Sequence, residues 1–270
     1  MRSNHTTRSV LSNPRSERVR RVRALLRRAG REKEGRFVVE GPQGVREAVA
    51  WRTESVVDVY VDEAGRERCA EIVESALAAG LYVHDVSAEV LAQMSDTASP
   101  QGIVAVVERP DVSLDAVLAN DPRLIVVLAS VRDPGNAGTV LRGADAMGAD
   151  AVIIGEASVD LYNPKVVRST VGSLFHLPVV VGAPVASTLA RLREAGVVSY
   201  AADGAGRLAI GDADLTRPHA WVMGNEAWGL PDELLQACDE VVSIPLHRAE
   251  SLNLAMAATI CMYASAAARG

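Results

Sequence analysis

Apolar residues in this chain fall into short runs separated by helix-like stretches, and the character of the runs changes part-way along. In the first part, "RFVVEG", "SVVDVYV", "LYVHDV" and "GIVAVVE" read as strands. Between them "QGVREAVAW", "RERCAEIVESALAAG" (closed by Gly80) and "SAEVLAQM" read as helices. Elements of this length in alternation predict a small α/β domain ending near Glu108. The stretch "RPDVSLDAVLANDP", residues 109–122, reads as a linker with a short helical piece. From Leu124 the runs "LIVVLAS", "AVIIG", "LPVVVG", "VVSYAA", "AWVMG" and "VVSIPL" are apolar without alternation. A strand with no polar face is buried on both sides, which predicts a parallel sheet covered by helices over 123–270. Those helices fall around 137–147, 164–174, 186–195 and 231–237, with a long final one from near Ser251. In such sheets ligands bind beyond the carboxyl ends of the strands. Three loops placed there stand out: 133–142, 224–230 and 245–253.

Ahead of the first strand, residues 1–14 are polar and aperiodic and read as a disordered tail. "SERVRRVRALLRRAG" then reads as a basic amphipathic helix, with Val19, Val22, Leu25 and Leu26 on one face and Gly30 as its stop. With this helix, the first domain spans 15–108.

Composition adds three points. Aromatic residues are only 4%, so the core is built from Val, Leu, Ala and Ile. Residues 1–36 hold 12 Lys and Arg against 3 acids, a net +9, while the remainder carries −15. A basic arm on an acidic body points to a polyanionic partner near the N-terminus, against the plainer reading of a solvated arginine-rich helix. Three dispersed cysteines, Cys69, Cys238 and Cys261, form no C-x-x-C pair. This argues against a disulfide framework and a zinc site and for a reducing compartment. There is no signal-peptide pattern and no run long enough to span a bilayer. The expectation is a cytoplasmic protein with no membrane and no metal.

The three loops carry the candidate chemistry. In "NAGTVLR", Asn136 is placed to cap a helix. Arg142, within the first two turns, offers a guanidinium suited to gripping phosphate. In "GNEAWGLP", Gly224 ends a strand where a ligand approaches the backbone, and Glu226 stands beside it as a cap or an arginine partner. In "IPLHRAESLNLAMAA", Ser251 and Asn253 stand at a helix start, where Ser251 serves as a plain cap or the helix end receives a polar ligand group. The G-x-G-x-x-G of a nicotinamide enzyme is missing.

Together, N-x-G-x-x-x-R, then G-N-E-x-x-G-L, then I-P-L…E-S-L-N-x-A resemble the SpoU (TrmH-like) RNA 2′-O-methyltransferases of the SPOUT superfamily, over about residues 123–268. "RFVVEGPQGVREAV" and "SPQGIVAVV" look like the L30e-like substrate-binding domain that precedes the catalytic domain in the ribosomal-RNA branch.

The resemblance implies a deep trefoil knot, an exception to the usual connection rules, with its crossing around 223–254. It implies S-adenosyl-L-methionine as cofactor, held largely by backbone at Gly224, Ile244 and Leu252, and more weakly at Ala201 and Ala202. It implies methyl transfer to a ribose 2′-hydroxyl, most simply in 23S ribosomal RNA. Arg142 is then the activating group, Asn136 and Glu226 orient it and the ribose, and Ser251 and Asn253 shape the site. Because a guanidinium keeps its proton in proteins, the physical expectation is that Arg142 holds the RNA phosphate and stabilises developing alkoxide charge. The family also implies a homodimer, with the 136–147 helix and the C-terminal helix supplying apolar contacts. Two other readings are a transfer-RNA substrate and a catalytically silent RNA-binding protein of the same fold.

Overall fold

The computed structural model describes residues 9–269. Within them the chain forms two compact units: one runs to Arg109 and takes in Tyr162–Arg168, and the other comprises Pro110–Leu161 and the chain from Ser169 onward.

The first unit contains helices α1 (Glu17–Ala24) and α2 (Arg28–Glu34), strand β1 (Arg36–Glu40), α3 (Pro42–Trp51), β2 (Val56–Val61), α4 (Glu63–Arg68), α5 (Ala70–Ala78), β3 (Val83–Asp85), α6 (Ala88–Gln93) and β4 (Ile103–Glu108). Its sheet has the order β1-β4-β2-β3. Strand β4 runs antiparallel to both neighbours, and β3 runs parallel to β2 at the edge. The amphipathic face of α1 is buried as its spacing predicts: Val19, Val22 and Leu25 pack with Val38, Tyr60, Val90 and Val106.

The single helix expected to stop at Gly30 is instead two. Helix α1 ends at Ala24, and Gly30 lies inside α2, where a Cβ would stand 2.1 Å from the Ala24 carbonyl oxygen. Gly30 is thus required by close approach of the two helices; the stop is Gly35, in the left-handed region at φ 64°. Buried Arg31 reaches back to donate to the Leu25 carbonyl at 2.8 Å, satisfying a group the end of α1 leaves open. Of the tail expected to be disordered, residues 1–8 lie outside the described residues. Residues 9–14 depart from that expectation: Leu11 bridges Val86 beside β3, its N–H bonded to the Asp85 carbonyl at 2.8 Å. An open strand edge offered partners that the tail's own composition does not reveal.

The second unit contains α7 (Leu114–Leu118), β5 (Leu124–Leu128), α8 (Pro134–Ala146), β6 (Ala151–Gly155), then α9 (Pro164–Thr170), which straddles the division between the units. It continues with β7 (Val179–Ala183), α10 (Val185–Glu194), β8 (Val198–Ala202), β9 (Leu208–Ala209), β10 (His219–Met223), α11 (Asp232–Ala237), β11 (Glu240–Ser243) and α12 (Leu254–Arg269). Its seven strands, in the order β7-β6-β5-β10-β8-β11-β9, are parallel throughout. Every residue of β5, β6 and β10 is buried, as non-alternating apolar runs require. The two-residue β9 was too short to read from pattern. The 109–122 stretch, expected as a linker, belongs to this unit from Pro110: Val112 N–H bonds Val179 O at 3.0 Å and Val117 is buried in its core.

Helix α12 is locked to the central strand β10 by buried polar contacts. Ser265 Oγ lies 2.7 Å from His219 Nε2 and accepts the Trp221 indole N–H at 2.8 Å. Burial pushes the His219 pKa down, so the ring is neutral, with Nδ1–H donated to the Arg217 carbonyl at 2.8 Å. That anchor fixes the helix whose N-terminus borders the site.

Candidate active site

The cleft at the carboxyl ends of β8, β10 and β11 has a volume of about 260 Å³. Its walls come from 202–204, 223–227, Gly229 and residues between Val242 and Ala257. This is the strand-end position that a parallel sheet predicts.

The loop after β10 is closed on itself. Asn225 N–H bonds Gly229 O at 2.8 Å and Gly229 N–H returns to Asn225 O at 3.0 Å. The buried Asn225 side chain donates to Ser130 O (2.9 Å) and accepts from Ala227 N–H (2.9 Å), tying this loop to the end of β5. Gly229 adopts φ +70°, and a Cβ on Gly224 would stand 2.3 Å from the Gly229 carbonyl carbon. Both glycines are dictated by the turn itself.

Glu226 and Asn136 together join three segments distant in sequence. The Glu226 carboxylate accepts the Asp133 N–H at 3.0 Å, the Arg132 N–H at 3.2 Å and the Asn136 amide at 3.2 Å. Asn136 Oδ1 in turn accepts the Asn253 amide at 3.0 Å. Asn253 Oδ1 accepts from Ala255 N–H (2.9 Å) and Met256 N–H (3.3 Å) and so caps α12. Burial raises the Glu226 pKa in part, but the backbone N–H bonds and the Asn136 amide outweigh it and hold the carboxyl below its ordinary value. The group is a carboxylate at neutral pH.

Two expected caps move. Helix α8 is capped by Asp133, whose Oδ1 accepts the Asn136 N–H at 2.8 Å, and this frees the Asn136 side chain for Glu226 and Asn253. Asn253, not Ser251, caps α12; Ser251 is exposed and lines the cleft. Gly224, Ile244, Leu252 and Ala202 also line the cleft. Ala201 does not: it is fully buried in the sheet core, because its side chain takes the opposite face of β8.

Arg142 is exposed on α8, outside the cleft lining, and makes no hydrogen bond or ion pair among the described residues. The expected orienting contact from Asn136 and Glu226 is therefore not made: those two bind each other. Six residues along a helix carry Arg142 about 120° around from Asn136. Pattern reading missed Asn225 and Asp203. The first sits inside the quoted "GNEAWGLP"; the second follows an apolar strand in "AADG", where an acid at a strand end was the available signal.

Among the described residues no cluster of His, Cys, Asp and Glu is arranged to hold a metal ion, and the three cysteines are free and buried. Among the described residues no helix is long and apolar enough to cross a membrane.

Residues 123–263 match the SpoU rRNA Methylase family, and residues 16–105 match the MRM3-like substrate binding domain. The chain is 31% identical over 255 residues to the 23S rRNA (guanosine(2553)-2′-O)-methyltransferase RlmP of Bacillus subtilis, covering 94% of this chain and 97% of that one. It is 35% identical over 218 residues to the 23S rRNA (guanosine-2′-O-)-methyltransferase RlmB of Bordetella pertussis, covering 78% and 89%. The fold is similar to that of the SpoU methyltransferase AviRb of Streptomyces viridochromogenes, solved in complex with AdoMet, at a TM-score of 0.82 and 33% identity over 94% and 99% of the two chains.

Proposed function

Since the chain belongs to the SpoU rRNA methylase family, we propose that it transfers the methyl group of S-adenosyl-L-methionine to a ribose 2′-hydroxyl of 23S ribosomal RNA. The observation that carries this reading is the Glu226–Asn136–Asn253 network set beside a strand-end cleft of ligand size.

The residues present fit the cofactor. Ile244, Leu252 and Leu254 give the cleft an apolar wall for an adenine ring, and the bare Gly224 brings backbone to its edge. Asp203, Glu226 and Glu250 supply negative charge complementary to a sulfonium and an ammonium. Ser251 and the Ala202 backbone complete the polar side. The crossing of the trefoil is assigned to 223–254.

When bound, the cofactor supplies an already activated methyl group, which leaves as sulfonium becomes thioether. The protein's task is alignment and charge, and alignment alone is worth roughly 7–11 kcal/mol in favourable cases. Glu226 holds the 132–136 loop and Asn136 in place, and Asn136 passes that order to Asn253 at the start of α12. The exposed guanidinium of Arg142 grips an RNA phosphate and stabilises negative charge as the 2′-hydroxyl loses its proton to water or a phosphate oxygen. An Arg142 with no partner among the described residues is available for RNA in a way that a salt-bridged one is not.

The protein works as a homodimer in the cytoplasm. Exposed Met256, Ile260 and Tyr263 lie at i, i+4 and i+7 along α12, an apolar stripe that a second copy covers. Light scattering at micromolar concentration checks this, and a stable monomer contradicts it. The front domain favours ribosomal over transfer RNA. Mapping 2′-O-methylation in both RNAs from cells with and without the gene tests the substrate, and a site lost only from transfer RNA overturns it. Arg142→Ala is expected to abolish methyl transfer by the purified protein while leaving cofactor affinity nearly unchanged; full activity in that variant removes the role given to Arg142.

A further inference from the structure

We propose that the Tyr82–His84 face of the first unit, flanked by the arginines of α1, is a stacking platform for an unpaired base of single-stranded RNA. The proposal deepens the RNA-substrate reading and rests on it for the identity of the polymer.

Residues 82, 84 and 86 alternate onto one face of the sheet at its β3 edge. They form a gradient from core to solvent. Val86 is buried, His84 is half-buried and Tyr82 is 72% exposed. The rings stack in sequence. Tyr60, opposite His84 in register, lies 5.1 Å from it by ring centroids, and Tyr82 lies 6.5 Å from His84 with only 13° between the planes. The ladder thus begins at a fully buried tyrosine and ends at one whose outer face is open.

The ladder is held rigid. Asp58 takes His84 Nε2 at 2.7 Å on one oxygen and the Tyr60 hydroxyl at 3.1 Å on the other. The Arg18 guanidinium lies 2.9 Å from both ring nitrogens of His84. Asp58, the acid beside the ladder, therefore has both oxygens engaged and a cation close by. Tyr82 stacks on a ring fixed in this way, so its inner face rests on a rigid support while its outer face is open to a base.

The charge around it is that of a nucleic-acid surface. Arg18 and Arg21 share one flank of α1, Glu17 pairs with Arg21, and Arg15, Arg20 and Arg23 are also exposed. Arginines that neutralise phosphates beside an open aromatic face are the two parts of single-strand recognition. A duplex hides its base faces, so the platform selects unpaired nucleotides.

The test uses the full chain without cofactor. The probes are a single-stranded RNA of about twelve nucleotides, within the span one such groove tracks, and its blunt duplex. Tyr82→Ala is expected to weaken single-strand binding roughly five- to hundredfold, the loss of one base stack. It should leave the duplex affinity and the melting temperature unchanged, and Tyr82→Phe should restore binding. Arg20→Ala, at an exposed arginine of α1 that has no part in the ladder, should reduce the slope of log affinity against log salt by about one. Single-strand affinity unchanged by Tyr82→Ala, or equal losses for strand and duplex, overturns the platform. Failure of the wild-type protein to methylate 23S RNA overturns the catalytic reading instead and leaves these affinities to decide the platform alone.

Discussion

Glu40 in the first unit and Glu226 in the second do the same structural job in opposite surroundings. Each carboxylate accepts two consecutive backbone N–H groups of a loop far away in sequence: Asp96 (2.7 Å) and Thr97 (3.3 Å) for Glu40, Asp133 (3.0 Å) and Arg132 (3.2 Å) for Glu226. Glu40 also has Arg168 at 3.4 Å, yet its side chain is only 4% exposed. Burial pushes its pKa up, and the Asp96 N–H and Arg168 only partly offset that. Glu226 lies at the surface, and there the hydrogen bonds win and hold its pKa down. The same two-pronged bond thus makes one glutamate a costly internal rivet and the other a stable external charge. The cost of removing water decides which. The rivet serves a fold; the external charge stays available to a site.

That contrast can be broken by substitution. The largest effect is expected at Glu226. Its replacement by Gln removes one acceptor oxygen, loosens Asn136 and Asn253, and should lower methyl transfer about hundredfold, the usual cost of an ångström-scale misplacement. Because water can reach the released N–H groups, the urea midpoint should hardly move. A hundredfold loss accompanied by unfolding would show that Glu226 is a rivet too. Next is Glu40→Ala, which strands two N–H groups and leaves Arg168 paired with Asp96 alone. It should cost about 2 kcal/mol of stability, read from the urea midpoint, with cofactor affinity unchanged in the folded protein.

The smallest and most discriminating effect is the dependence on pH. Glu226 has a folded-state pKa below the 4.5 of the free group, so its stabilisation is complete above 4.5 and is lost as pH falls through the folded value. Glu40 has a folded-state pKa above 4.5, so its protonated form favours the fold, in full below 4.5, and that advantage is lost as pH rises through the folded value. Relative to wild type, Glu40→Gln should therefore gain stability as pH rises above 4.5. Glu226→Gln should lose stability as pH rises towards 4.5 from below. Slopes of the same sign, measured by urea unfolding across this range, would dissolve the distinction between the two glutamates.

Much of the fold and the composition of the site were legible beforehand. Strands β5, β6 and β10 carry their burial in their own residues, and three motifs marked the loops around the cleft. Less legible was which side chain meets which. Asn136 reads equally well as a cap, yet Asp133, three residues earlier, takes that role. Ser251 and Asn253 are both capping residues by type, and the observed start of α12 at Leu254 selects Asn253. Ala201 and Ala202 are identical in sequence and differ only in the face of β8 they occupy.

What the sequence determined by itself was therefore local and chemical. It set the α/β class, the buried parallel strands, the basic helix with its apolar stripe, and the inventory of Asn, Glu, Arg and Gly around the cleft. Hydrophobic period is a property of adjacent residues and survives in one dimension. The tertiary structure alone decided that Glu226 would bind Asn136 across 90 residues, that Asn136 would bind Asn253 across 117, and that Arg142 would be exposed with no partner among the described residues. It also decided that Gly30 is an approach point between helices, and that Tyr82 ends a ladder rooted in Tyr60. Hydrogen-bond partners are chosen by which loops the sheet brings to one edge, and no periodicity along the chain encodes that.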